Sequence, residues 1–234
     1  AKRKANTLAE NSAVVMSLVS TSLADRICKA NGIKLFRVYT GFKYIGEKMT
    51  EFAETGSHTY LLGFEESYGY LAGTYARDKD AVVASMLITE MAADYKAKGM
   101  TLYDGLISLY EKYGYFMEKT VSYTFAGIEG SEKIKSIMNF FRNTPPKEFA
   151  GMKVNRMWDV KEGIIKDFEK GTEEKLNLPS SDVFRYDLEN NSWFAVRPSG
   201  TEPKIKFYFG VCENSYAKSE AKIEQCIAEL SKIV

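Results

Sequence analysis

The apolar positions of this chain change rhythm part-way along it. Residues 13–19 form a short apolar run. Ser22, with Asp25 three residues on, then offers an N-cap to a helix reaching residue 30, and Gly32 offers its end. Residues 33–39 alternate as a strand does and 40–42 turn. Residues 43–54 place Tyr44, Ile45, Lys48, Met49 and Phe52 at helical spacing before a third strand at 59–64. Strands separated by helices predict a βαβαβ unit with a parallel sheet and right-handed crossovers, and ligands of such sheets gather at the carboxyl ends of the strands. Further on, Asp80 predicts the N-cap of a helix over 81–98, with Gly99 beyond it. Thr101 with Asp104 predicts a capping box for a helix ending at Tyr113 and closed by Gly114.

Beyond that point the periods are those of an α+β fold. Residues 118–125 alternate, 131–142 carry Ile134, Ile137, Met138 and Phe141 on one helical stripe, and Pro145-Pro146 stops that helix. Residues 153–158, 183–188, 193–197 and 204–211 read as strands, with 189–192 as a hairpin turn. Ser215 caps a last helix whose apolar face is Ile223, Cys226, Ile227, Leu230 and Ile233. The expectation is two domains: 1–117, an α/β domain with a parallel sheet, and 118–234, an α+β domain with an antiparallel sheet and helices on one face. The segment 114–118 is expected to act as a hinge, because no large apolar run crosses it.

Composition narrows the partners. A chain of 234 residues that is 45% hydrophobic and 27% charged has the make-up of a soluble globular protein. With 32 Lys plus Arg against 31 Asp plus Glu there is no basic field for nucleic acid or an anionic membrane, so local charge must do any anion binding. Cys28, Cys212 and Cys226 show no paired spacing, which suits reduced thiols in a cytoplasm and no metal site. No run approaches a membrane span. His58, alone of its type and set in a polar turn, reads as a solvated surface residue.

Four polar stretches carry candidate chemistry. Arg197-Pro198-Ser199-Gly200-Thr201-Glu202-Pro203-Lys204 joins two strand-like runs. Its guanidinium fork, two hydroxyls and a glycine suit a phosphate, although Ser, Gly and Pro also make ordinary turns. Thr40-Gly41-Phe42-Lys43 and Gly63-Phe64-Glu65-Glu66-Ser67 leave strand carboxyl ends. Carboxylates beside a serine suit vicinal sugar hydroxyls as well as an acidic surface turn. In Arg77-Asp78-Lys79-Asp80 the two aspartates suit a helix N-terminus and Lys79 has the wrong sign for it. Either an ion pair with Asp78 or Glu65, or a ligand, would offset that cation.

Taken together and in order, TGFK, GFEES-YG, RDKD and RPSGTEPK resemble the α-D-phosphohexomutases, the family of phosphoglucomutases and phosphomannomutases. The likeness runs from about residue 13 to the last helix. It implies an enzyme interconverting glucose 1-phosphate and glucose 6-phosphate through glucose 1,6-bisphosphate, since GFEESYG is more like the glucose branch than the GEMSGH of phosphomannomutases. It further implies sugar contacts from Thr40, Gly41, Glu65 and Ser67, and phosphate contacts from Arg197, Ser199, Gly200, Thr201 and a strand lysine, Lys206 ahead of Lys204. Lys79 would exchange a proton with the sugar. The family's phosphoserine and its Mg2+ loop of three aspartates have no counterpart here: Ser57-His58 lacks the flanking residues of Thr-Ala-Ser-His-Asn-Pro, and Asp78 with Asp80 offers two carboxylates. The chain therefore reads as a substrate-binding C-terminal half, inactive alone, whose partners are a phosphosugar and the missing N-terminal domains. A phosphopentomutase, a phosphomannomutase and a non-catalytic phosphosugar-binding protein remain alternatives.

Overall fold

Strand β1 (Ser12–Ser17) is buried along its whole length. It lies between β2 (Lys34–Val38) and β3 (Thr59–Phe64), parallel to both, as the alternation of strands and helices requires. The computed structural model describes residues 5–200 and 202–234. They fall into two compact units that divide between Tyr113 and Gly114.

In the first unit, α1 (Leu23–Ala30) and α2 (Phe42–Thr55) are the crossover helices. Helix α2 lays Phe42, Ile45, Met49 and Phe52 against Ala13, Val15 and Val38 of the sheet. The sheet runs β2-β1-β3-β4, and its edge strand β4 (Tyr70–Ala72) is antiparallel to β3. Sequence reading left β4 inside a loop, since three residues carry too little alternation to mark a strand. Two other expectations are corrected. Ser22 makes no side-chain cap to α1; the hydroxyl of Thr21 accepts from the Leu23 N–H instead, at 3.2 Å. His58 is not a solvated turn residue. Its ring packs edge-on against Phe36, centroids 4.8 Å apart, and lies 5.1 Å from Phe52.

Helix α3 (Ala81–Ala97) starts where expected: the Asp80 carboxylate accepts the N–H groups of Val82 and Val83 at 2.7 and 3.2 Å. The helix is apolar on all sides, and none of its residues is buried. Helix α4 (Leu102–Tyr113) opens with the expected reciprocal box: Thr101 N–H donates to Asp104 at 2.8 Å and Asp104 N–H to Thr101 at 3.1 Å.

In the second unit, β5 (Tyr115–Thr124) starts three residues earlier than expected, because it pairs with β12 (Lys204–Glu213) from Tyr115 opposite Glu213 onward. Helix α5 (Gly127–Asn143) also starts early. Its first turn holds Gly127 and Gly130, which hide the helical pattern, and Gly130 is needed because a Cβ there would lie 2.2 Å from the Phe125 carbonyl oxygen. Then come β6 (Glu148–Phe149), β7 (Met152–Asp159), β8 (Ile164–Asp167), β9 (Thr172–Lys175), β10 (Phe184–Leu188), β11 (Trp193–Pro198), β12 and α6 (Tyr216–Leu230). The antiparallel order is β5-β12-β11-β10-β7-β8-β9, with β6 on β7. The β8–β9 hairpin was not expected, for Thr-Glu-Glu-Lys has no strand character. Lys166 meets Glu173 across it at 3.4 Å, and Arg156 of β7 reaches Glu174 of β9 at 3.3 Å. Both helices bury their stripes on one side of the sheet, Ile134, Ile137, Met138 and Phe141 from α5 and Ile223, Cys226 and Leu230 from α6.

Candidate functional site

In the first unit the three parallel strands end on the same side, so the loops after β1, β2 and β3 share one edge of the sheet. After β2 comes Thr40, which is 7% exposed and whose Oγ1 has no partner among the described residues. Gly41 follows with φ 116°, a backbone that side chains rarely adopt. No side chain caps α2 there and its first turn holds no acidic residue. The glycine is thus explained by the backbone, whereas a buried hydroxyl without a partner is a cost that a ligand hydroxyl would relieve.

After β3 the chain makes a tight turn. Glu65 N–H donates to the Gly69 carbonyl at 2.9 Å, and Tyr68 is held at φ 64°. The two adjacent glutamates then part. Glu66 turns inward, where Oε2 accepts from the fully buried Ser17 hydroxyl at 2.6 Å, and Ser17 is also 2.9 Å from Ser20. The carboxylate of Glu65 lies over Gly69 beside Phe42: a Cβ on Gly69 would come within 2.8 Å of Glu65 Oε1 and 3.0 Å of the Phe42 ring. Desolvation raises the Glu65 carboxyl above its usual range, the neighbouring charge of Glu66 adds to this, and Lys79 acts against it. Ser67 is exposed, with Oγ 3.4 Å from Glu66 Oε1.

Lys79 stands close to this group. Its Nζ lies 5.8 Å from the centroid of the Phe42 ring and 3.4 Å from Asp78 Oδ1. The cation at the head of α3 is therefore offset by Asp78, which also accepts the Lys79 N–H at 2.8 Å, one of the two outcomes that the sequence left open for it. Asp80 caps the helix, with the Tyr75 hydroxyl donating to its other oxygen. The Tyr75 bond and the Val82 and Val83 N–H groups hold the Asp80 carboxyl below its usual range. Among the described residues no three His, Cys, Asp or Glu side chains are grouped to hold a metal ion. Asp80 is already committed to the cap and to Tyr75. These residues do not fit Mg2+.

The second unit carries the other group, on the turn between β11 and β12. Ser199 N–H donates to the Lys204 carbonyl and Lys204 N–H to the Glu202 carbonyl, each at 2.7 Å, while Ser199 Oγ accepts from Glu202 N–H at 3.2 Å. Apart from its chain neighbours, no described residue comes within 4 Å of where a Cβ on Gly200 would stand, so this part of the turn faces open space. Thr201 lies outside the described residues. In the register of the two strands Arg197 stands directly opposite Lys206, and Lys206 opposite Ser122 of β5. Both cations therefore lie on one face of the sheet, beside the turn. The Lys204 ammonium faces Glu202 at 3.8 Å. Along the same face of the sheet lies a second group of side chains. Arg185 stacks on Trp193 at 4.4 Å and bonds Asp187 at 2.9 Å, and Asp187 accepts from Trp158 at 2.8 Å.

Thus Thr40, Gly41, Glu65, Ser67 and Lys79 belong to the first unit, and Arg197, Ser199, Gly200 and Lys206 to the second. The inward bond of Glu66 to Ser17 escaped sequence reading, because nothing in a linear pattern links position 17 to position 66.

Comparison with known proteins follows the same division. Residues 1–113 match the phosphoglucomutase/phosphomannomutase α/β/α domain III, and residues 144–230 match the phosphoglucomutase/phosphomannomutase C-terminal domain. A phosphoglucomutase of Staphylococcus aureus (strain MSSA476) is 38% identical over 202 residues, 86% of this chain and 36% of the relative. That of Staphylococcus saprophyticus is 38% identical over 198 residues, 85% of this chain and 36% of the relative. Among solved structures, the open form of the Paramecium exocytosis-sensitive phosphoprotein pp63/parafusin, a phosphoglucomutase, matches with a TM-score of 0.67 at 21% identity, over 94% of this chain and 38% of that one. The chain spans little more than a third of the length of these relatives. Among the described residues no helix is long and apolar enough to cross a membrane.

Proposed function

The chain belongs to the phosphoglucomutase/phosphomannomutase family, and from that premise we propose that it is the substrate-holding part of an enzyme interconverting glucose 1-phosphate and glucose 6-phosphate through a bisphosphorylated sugar. The observation that carries this reading is the pair Arg197 and Lys206, set opposite each other on β11 and β12 beside an open turn at Gly200. Two cations on one face of the sheet supply charge for an anion, and a guanidinium fork grips a near-tetrahedral phosphate without reading what is attached to it. That indifference suits a reaction in which the sugar must present either of its phosphates to the same cradle.

On the first unit, Glu65 and Ser67 would accept and donate hydrogen bonds to ring hydroxyls, and Thr40 Oγ1 would gain the partner it lacks. Lys79, next to Glu65, is the candidate for exchanging a proton with a sugar hydroxyl. Holding and orienting the substrate is most of what phosphoryl transfer asks of a protein. The nucleophile and the Mg2+ ligands would come from residues outside this chain, and the purified 234-residue chain is expected to show no mutase activity above a mock preparation.

The test is an NMR titration of the labelled chain with glucose 1-phosphate and, separately, inorganic phosphate. Shifts of the amides of residues 65–67 and of Arg197, Ser199 and Gly200 with the sugar phosphate, and of the last three alone with phosphate, are the expected result. A chain in which those three amides ignore both ligands at millimolar concentration contradicts the reading.

A further inference from the structure

The two glutamates of the Glu65-Glu66 pair do different work, and the difference originates at Ser17. This serine ends the central strand β1, is 0% exposed, and donates its hydroxyl proton to Glu66 Oε2 at 2.6 Å. Having spent its one proton there, Ser17 can only accept from Ser20, 2.9 Å away and itself 2% exposed. The direction of the chain is therefore Ser20 to Ser17 to Glu66. It runs from the end of a buried strand into the loop of the β3–β4 hairpin, which the strand pairing and the bond from Glu65 N–H to Gly69 also close. The other oxygen of Glu66 faces Ser67 at 3.4 Å.

We propose that Ser17 is a positioning residue for the sugar-side loop: by holding Glu66 it sets the direction in which Glu65 and Ser67 present their polar atoms. Glu66 is an anchor and not a ligand. A charge-assisted bond from a fully buried donor is among the stronger hydrogen bonds, and a group that must meet a ligand within a few tenths of an ångström needs such support from behind. Ser17 touches no substrate in this scheme and acts through Glu66 alone. The ligand-binding part of the proposal rests on the assignment of Glu65 and Ser67 to the sugar; the part about the loop rests on the geometry.

Three variants of the 234-residue chain test it: Ser17→Ala and Glu66→Ala, which break the bond from either end, and Glu66→Gln, which keeps an acceptor oxygen. Amide exchange at Glu65 N–H is expected to quicken by about tenfold in the two alanine variants and by much less in Glu66→Gln, with the β1 amides unchanged as evidence that the fold is intact. Titrated with glucose 1-phosphate, the alanine variants should bind about fivefold more weakly while their affinity for inorganic phosphate stays the same. Unchanged exchange at Glu65 overturns the positioning role, as does quickened exchange with undiminished affinity for glucose 1-phosphate. Should exchange quicken while the wild-type chain shows no sugar-dependent shifts at 65–67, Ser17 positions the loop and it is the sugar assignment that fails.

Discussion

The two candidate binding loops are built on opposite plans. The loop at 65–69 is held from behind by side chains that reach it from another strand, Ser17 through Glu66, and its glutamate lies over Gly69 beside Phe42. The turn at 197–204 is closed mostly by its own backbone, with bonds among Ser199, Glu202 and Lys204, and its charge comes from two opposed strand residues. The comparison teaches what each ligand part demands. Hydroxyls are directional and neutral, so their partners must be aimed. A phosphate is a compact anion that accepts from any side, so its site needs charge and exposed N–H groups more than fixed side-chain geometry.

The largest expected effect falls on the second loop. Arg197→Ala removes the guanidinium and should weaken inorganic phosphate and glucose 1-phosphate alike by about 2 kcal/mol, roughly thirtyfold in Kd by titration calorimetry. A loss confined to the sugar phosphate would erase the distinction between the two loops.

Two glycines sharpen the contrast. Gly41→Ala places a side chain at φ 116° and should lower stability by about 1–2 kcal/mol in urea unfolding. Gly200→Ala, whose Cβ meets no described residue beyond its chain neighbours, should leave the unfolding curve where it is and weaken phosphate binding instead. If both simply destabilise, the turn at 200 is structural and not a cradle.

Thr40→Val separates a ligand role from a packing role at a third position. Replacing a buried hydroxyl without a partner by a methyl should leave stability unchanged or raise it by about 1 kcal/mol, yet weaken glucose 1-phosphate about fivefold without affecting phosphate. Lower stability with unaltered affinity would assign Thr40 to the core.

The smallest effect is one of pH. Burial and the charge of Glu66 raise the Glu65 carboxyl, so on acidification it gains its proton earlier than an ordinary carboxylate of about 4.3. Sugar hydroxyls donate to the ionised form. The sugar-dependent shifts at 65–67 should therefore fade as pH falls through the raised value, while those caused by inorganic phosphate at 197–200 persist. Stability carries the opposite sign at this residue. The folded chain binds the extra proton between the usual and the raised value, so the Glu65 contribution to stability falls as pH rises through that window. Asp80 behaves as the reverse case. Its lowered carboxyl contributes stability above the usual aspartate value, which is lost as pH falls through the lowered one.

Much of the fold was legible from residue order. The parallel core of the first unit announced itself in the alternation of short apolar runs with helical stripes. The α3 cap at Asp80 and the Thr101–Asp104 box each depend on residues no more than three apart. The final helix showed its buried stripe at Ile223, Cys226 and Leu230 before any neighbour was known. What failed were elements with weak local signals: the three-residue β4, the charged β9, and the start of α5 behind two glycines. The pairing that holds these strands is a property of their neighbours and not of their own sequence.

The sequence by itself determined the parallel core of the first unit, the caps of α3, α4 and α6 and the identity of the polar loops, because those follow from contacts between residues a few positions apart. Only the tertiary structure decided that Glu66 turns inward to Ser17 while Glu65 does not, that Lys206 stands opposite Arg197 while Lys204 meets Glu202, and that the Thr40 hydroxyl is buried without a partner. Adjacent residues of one type are indistinguishable to a linear pattern. Which of them becomes an anchor and which is left for a ligand is settled by strand register and by the reach of side chains distant along the chain.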